Sequence, residues 1–216
     1  MKLFKKISTN YRIKDKIKYH TIKMNAQKSK IVVFDNYDSF TYNLVQMIEQ
    51  IVDDKVDVVR NDQVTLENLE QYDKIVLSPG PGIPEEAGIL LEVIKKYSPT
   101  KSIFGVCLGQ QAIAEAFGGS LINLSEIYHG VATEATQVQE HLLFNDLPKN
   151  LEVGRYHSWA VNKEDFPEEL EITSVDEKGM IMSLKHKTYD VHAVQYHPES
   201  ILTPNGKKII ENFINN

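Results

Sequence analysis

Short continuous apolar runs alternate with longer stretches whose apolar residues recur three and four apart, the two periods of buried strands and amphipathic helices. Lys30-Ile31-Val32-Val33-Phe34-Asp35 reads as a first buried parallel strand. Asn36-Tyr37-Asp38-Ser39-Phe40 leads from it into a helix running to about Ile51, with Asp38 or Ser39 as the capping side chain. A second strand is expected at Val56–Arg60, a short helix at Leu66–Gln71, a third strand at Lys74–Ser78, a helix at Glu85–Tyr97 and a fourth strand at Lys101–Val106. This alternation predicts an α/β fold with an open, doubly wound, mostly parallel central sheet, flanking helices, and sites at the carboxyl ends of its strands. Beyond Gly118-Gly119 the helical period fades. Ser120–Asn123, Val131–Val138, Leu151–Tyr156, Leu170–Val175, Met180–Leu184 and Val191–Gln195 read as strands, additional and antiparallel, before a closing helix at Asn205–Ile214.

At 216 residues the chain suits one domain with a sizeable core, and no run approaches the ~20 apolar residues of a membrane span. Charge divides it more sharply than composition does. Residues 1–30 carry ten basic residues against one acid, near +9, whereas the rest carries 14 against 29, near −15. Residues 1–29 therefore read as a basic N-terminal extension, either disordered or translated from a start upstream of Met24, and residues 30–216 as the folded domain. The extension lacks the sustained amphipathic period of a nucleic-acid or membrane-binding arm, so no nucleic acid and no membrane is expected as partner. A single cysteine excludes an intramolecular disulfide and fits a reducing, cytoplasmic setting.

That cysteine sits in Gly105-Val106-Cys107-Leu108-Gly109, after a strand and before the helical stretch Gln110–Phe117. Small residues two before and two after a nucleophile let the backbone turn sharply and expose its side chain above a sheet. A helix starting near Leu108 adds free N–H groups and a positive end that favour thiolate. Taken without its neighbours, Cys107 reads equally as an apolar residue packed at a strand end. Ser78-Pro79-Gly80-Pro81-Gly82-Ile83-Pro84 is a stiff loop in which bare backbone can approach a ligand and aim an N–H at a developing oxyanion; a plain connecting turn is the other reading. Arg155-Tyr156-His157-Ser158-Trp159 is a candidate pocket wall. His197 and Glu199 stand at i and i+2 at a strand end, where period-2 geometry points both the same way and lets a carboxylate orient the imidazole. The other six histidines read individually as structural, and no ligand spacing suggests a metal.

Together, Phe34-Asp35-Asn36-Tyr37-Asp38-Ser39-Phe40-Thr41-Tyr42-Asn43, Leu77-Ser78-Pro79-Gly80-Pro81-Gly82, Gly105-Val106-Cys107-Leu108-Gly109-Gln110-Gln111, Arg155-Tyr156-His157-Ser158 and Gln195-Tyr196-His197-Pro198-Glu199-Ser200 resemble the class I (triad) glutamine amidotransferases, in order and over residues 30–214. Among these the chain is similar to the glutaminase subunits of chorismate-using synthases. The resemblance implies a flavodoxin-like sheet, Cys107 as nucleophile on the glutamine carboxamide, His197 as base then acid, and Glu199 orienting it. It implies an oxyanion hole from the Leu108 N–H and the Gly80-Pro81-Gly82 loop; Pro81 has no N–H, so the second donor falls to a glycine or Ile83. Gln111 and the backbone at Ser158-Trp159 are implied as the holders of the glutamine α-amino and carboxylate groups. The implied partner is a separate synthase subunit in a hetero-oligomer, which aminates chorismate to anthranilate and carries Mg²⁺, with no cofactor on this chain. Aminodeoxychorismate synthesis is the alternative; a stand-alone cysteine hydrolase or a non-catalytic partner would be a different class. Tyr128-His129-Gly130-Val131 departs from the family's frequent Met-His-Gly-Lys.

Overall fold

The computed structural model describes residues 29–216, so the reading of residues 1–29 as an extension falls, apart from Ser29, outside the described residues. A nine-stranded sheet runs β2-β1-β3-β4-β11-β10-β9-β6-β7. Five of these strands, β2 (Asp57–Arg60), β1 (Ile31–Asp35), β3 (Lys74–Leu77), β4 (Ser102–Val106) and β11 (Val191–Val194), form a parallel unit. The other four, β10 (Ile181–His186), β9 (Leu170–Val175), β6 (Val131–Gln137) and β7 (Asn150–Arg155), extend it in antiparallel pairs. The expected doubly wound sheet with an antiparallel second half is therefore the observed one.

The continuous apolar runs are explained by burial on both faces. Val32, Phe34, Ile75, Leu77 and Ile103 face one side, against α2 (Leu90–Tyr97) and α3 (Leu108–Ala116). Their neighbours Val33, Val76, Phe104 and Val106 face the other, against Leu44 and Ile48 of α1 (Thr41–Val52) and Ile209, Ile210 and Phe213 of α4 (Gly206–Ile214). Alternation along each strand sorts one apolar run into two cores. Among the described residues, no helix is long and apolar enough to cross a membrane.

Four expectations are corrected. Residues 85–97 are not one helix: a 3-10 turn at Pro84–Glu86 is separated from α2 by Gly88, whose φ of 58° and close approach to the Asn61 carbonyl exclude helical continuation. The Leu66–Gln71 helix is only a 3-10 turn, Glu67–Leu69. Phe40 occupies the N-cap of α1 without a side-chain cap; Asp38 lies two residues ahead of that position and accepts from the Phe40 N–H at 2.7 Å. A strand that the sequence pattern does not predict, β8 (Trp159–Val161), pairs with β5 (Leu121–Asn123) in a separate two-stranded sheet. Three residues are too few for periodicity to register.

Candidate active site

The site is built where β4 and β11, sequence-distant but adjacent in the sheet, end side by side. Cys107 follows β4 and precedes α3 with φ 52° and ψ −100°, a conformation that L side chains rarely adopt and that costs on the order of 1–3 kcal/mol. Neighbouring structure holds it there. The Cys107 N–H donates to the Val194 carbonyl of β11 at 2.8 Å, and its carbonyl accepts from the Gln111 N–H at 3.2 Å in the first turn of α3. The turn closes only because Gly105 and Gly109 lack side chains: a Cβ on Gly105 would lie 2.6 Å from the Gly109 carbonyl carbon, and one on Gly109 would lie 2.9 Å from the Leu77 carbonyl oxygen.

His197 and Glu199 lie past the end of β11 rather than on it, which corrects the period-2 account of their alignment. A turn at Pro198, closed by the Ser200 N–H on the His197 carbonyl at 3.1 Å, brings the side chains together. His197 Nδ1 donates to Glu199 Oε1 at 2.7 Å with both side chains essentially buried. Thr203 braces the pair, its hydroxyl donating to the His197 carbonyl at 2.7 Å and accepting from the Gly154 N–H at 2.9 Å. His197 Nε2 makes no hydrogen bond among the described residues and is the ring's one free nitrogen. Burial disfavours imidazolium here, but the Cys107 sulfur and then the Glu199 carboxylate outweigh it and hold His197 well above its ordinary value of 6.5. Tyr156 and Phe40 stand edge-on to the imidazole at 4.9 and 5.6 Å between centroids.

Gly80, Pro81, Gly82, Cys107, Gln111, Ser158 and Trp159 line one cleft of ≈ 160 Å³, together with Tyr156 and His157 of the expected pocket wall. Leu108 is not among the lining residues: its side chain is buried against Gly80, and its N–H heads α3, where donors have no intrahelical partner. His197 and Glu199 do not line the cleft; both are buried, with the Cys107 sulfur close enough to His197 to act on its protonation. Larger clefts of ≈ 230, 460 and 320 Å³ occur elsewhere, the last beside Arg155 and Asp176, but Cys107 lines none of these three.

Several residues support the site through hydrogen bonds that the sequence did not foretell. Asn36 fixes the Pro-Gly loop by donating from its side-chain amide to the Ser78 carbonyl at 2.9 Å and from its N–H to Ser78 Oγ at 2.8 Å, while Asn61 donates to Asn36 Oδ1 at 3.2 Å. Arg155, buried and paired with Asp176 at 2.8 Å, donates through Nε to His157 Nε2 at 3.1 Å. Because arginine only donates, His157 Nδ1 carries the ring proton and gives it to the Trp159 carbonyl at 2.8 Å. Burial, and then the Arg155 charge, push His157 down to about 4, so it stays neutral. The Arg155–Trp159 cluster was expected as a pocket wall; the polar wiring behind it was not.

A cysteine on a strand-to-helix elbow, backed by a histidine–glutamate pair from the next strand, is the arrangement of cysteine-dependent acyl-transfer enzymes. The family model for glutamine amidotransferase class-I matches residues 32–216, and the chain belongs to that family. It is 43% identical over 194 residues to the anthranilate synthase component 2 of Pseudomonas aeruginosa, covering 85% of this chain and 94% of that protein. It is 42% identical over 186 residues to the aminodeoxychorismate/anthranilate synthase component 2 of Bacillus subtilis, covering 85% and 95%. A 44% identical match over 189 residues to the bifunctional protein TrpGD of Thermotoga maritima covers 86% of this chain but spans 32% of that longer protein. Among solved structures, a putative GMP synthase protein from Thermoplasma acidophilum superposes with a TM-score of 0.78 at 26% identity, covering 88% of this chain and 94% of that one.

Proposed function

We propose that this chain hydrolyses L-glutamine and hands the ammonia to a separate chorismate-using synthase subunit that makes anthranilate, in the cytoplasm. The observation that carries the chemistry is the strained Cys107 at the cleft floor with the buried His197–Glu199 pair behind it. His197 takes the Cys107 proton, and the sulfur bonds to the glutamine carboxamide carbon. The oxyanion formed in that attack is met by the Leu108 N–H and one from Gly80, Gly82 or Ile83. As the C–N bond breaks, His197 returns the proton to the departing nitrogen, which leaves as ammonia. Water, deprotonated by His197, then attacks the thioester and releases glutamate and the thiol. Glu199 keeps the His197 proton on Nδ1 throughout. Gln111, Ser158 and Trp159 line the side of the cleft suited to the α-amino and carboxylate groups.

Component 2 relatives that this chain covers almost end to end support a partner on another chain. We place the Mg²⁺ of the synthase reaction on that partner. The name of the Bacillus subtilis relative joins both chorismate products, which makes aminodeoxychorismate synthesis the second reading.

Reconstitution with each candidate synthase tests this. Cys107→Ser should lose glutamine-dependent product formation and keep ammonium-dependent formation. Unchanged glutamine use by Cys107→Ser would refute the mechanism, and glutamine-dependent activity only with the aminodeoxychorismate-forming partner would refute the pathway.

A further inference from the structure

Gln195 is fully buried one strand away from the nucleophile, and the hydrolysis just described gives it no part. Its side-chain Nε2 lies 3.6 Å from Cys107 Sγ, within reach of a hydrogen bond to sulfur, and its Oε1 accepts from Gln111 Nε2 at 3.4 Å. The direction of these bonds is set from outside the pair. The Trp159 carbonyl can only accept, so the Gln111 group 2.9 Å from it must be the NH₂. The same NH₂ then faces Gln195, whose oxygen must turn toward it, leaving the Gln195 NH₂ directed at the sulfur. The Trp159 carbonyl is itself held by His157, and His157 by the Arg155–Asp176 ion pair. A polarity-matched chain thus runs from a buried ion pair to the reacting atom.

We infer that Gln195 stabilises the Cys107 thiolate by donating a hydrogen bond to Sγ, and that Gln111 is the positioning residue that keeps the Gln195 amide turned the right way. An amide N–H donates and cannot accept, so it favours the anionic sulfur over the thiol, and it does so from a fully buried position, where such a bond is strengthened. His197 supplies the proton acceptor; Gln195 supplies a second, uncharged contact to the sulfur. The inference rests on Cys107 being the nucleophile.

Cys107 is the only cysteine, so alkylation of the full chain by iodoacetamide, read by mass, reports this sulfur alone. Gln195→Met keeps size and removes the donor. A hydrogen bond to a charged group is worth about a factor of ten in the thiolate equilibrium, so the midpoint of the alkylation profile should move up by about one pH unit. A more basic thiolate is intrinsically faster, by roughly threefold for that change, so the rate should fall about three- to fourfold below the midpoint and rise about threefold at the high-pH plateau. The profiles of variant and wild type should cross, which loosened packing alone would not produce. Gln195→Leu, which likewise removes the donor without adding a new polar group, should move the midpoint by a similar amount and serves where the methionine variant misfolds. A folded variant whose profile coincides with wild type, or is displaced without crossing, overturns the inference. Cys107→Ser run in parallel separates the two failures: if it retains glutaminase activity the nucleophile assignment falls, and if it is inactive while the Gln195 profiles are unmoved only the role of Gln195 falls.

Discussion

Gly105→Ala tests whether close packing at the elbow aims Cys107. An ideal Cβ at Gly105 meets the Gly109 carbonyl carbon at 2.6 Å, the Gly109 oxygen at 2.7 Å and Ile113 Cδ1 at 2.8 Å. The isoleucine tip can rotate away, but the other two atoms are backbone in the first turn of α3. Restoring ordinary carbon–carbon separation requires that turn to retreat by roughly 1 Å. Overpacking of this kind costs about 1–3 kcal/mol, which for a domain of this size is a fall of about 2–12 °C in Tm. The retreat carries Cys107 and the Leu108 N–H away from His197 and the Pro-Gly loop, and a displacement of about 1 Å costs about 10² in rate. Gly118→Ala is the matched control: its φ is 95°, so alanine is strained there, but nothing lies within 4 Å of the new Cβ. It should lower Tm by a few degrees, from about 1 kcal/mol of backbone strain, and leave glutamine hydrolysis unchanged. Thermal unfolding by circular dichroism and steady-state glutaminase rates measure both. A Gly105→Ala enzyme with kcat within threefold of wild type would refute the idea that packing of α3 on β4 positions the nucleophile.

Glu199→Gln preserves a hydrogen-bond acceptor for His197 Nδ1 but removes the charge that favours imidazolium, so kcat should fall by about 10²–10⁴ with KM little changed; a fall of less than tenfold would show the carboxylate dispensable. A second test concerns His141, buried against His192 and held down to about 3 by burial, then by the neighbouring His192 and Lys185. Since the unfolded chain takes up that proton near pH 6.5 and the folded chain refuses it until about pH 3, stability present above pH 6.5 is lost as pH falls, by up to about 1.4 kcal/mol per pH unit. Urea unfolding of His141→Gln between pH 4.5 and 6.5 should show a shallower slope by that amount, and parallel slopes would count against the assignment.

Much of the fold was readable because its signals are local. The parallel strands are continuous apolar runs, since both faces of the sheet are covered, and only their ends moved by a residue or two. The elements that departed from expectation are those decided by distant contacts. Gly88 breaks a helical pattern because the Asn61 carbonyl approaches it, and Asn61 is 27 positions earlier. β8 is three residues long and exists because β5 supplies a partner. His197 and Glu199 were expected together, but by strand alternation, whereas a turn after the last ladder hydrogen bond unites them.

The sequence by itself determined the elbow at Cys107, the Pro-Gly loop, the His197–Glu199 spacing and the individual strands that carry them, because each depends on residues within a few positions of one another. Only the tertiary structure decided that β11 lies beside β4, which puts His197 behind Cys107 across 90 residues of chain. It alone decided which groups hold the site: Asn36 on Ser78, Thr203 on His197, and the line from Asp176 through Arg155, His157, Trp159, Gln111 and Gln195 to the sulfur. Hydrogen bonds of that kind have no period and no fixed spacing. They follow from where strand register places donors opposite acceptors, and that is set by the whole sheet at once.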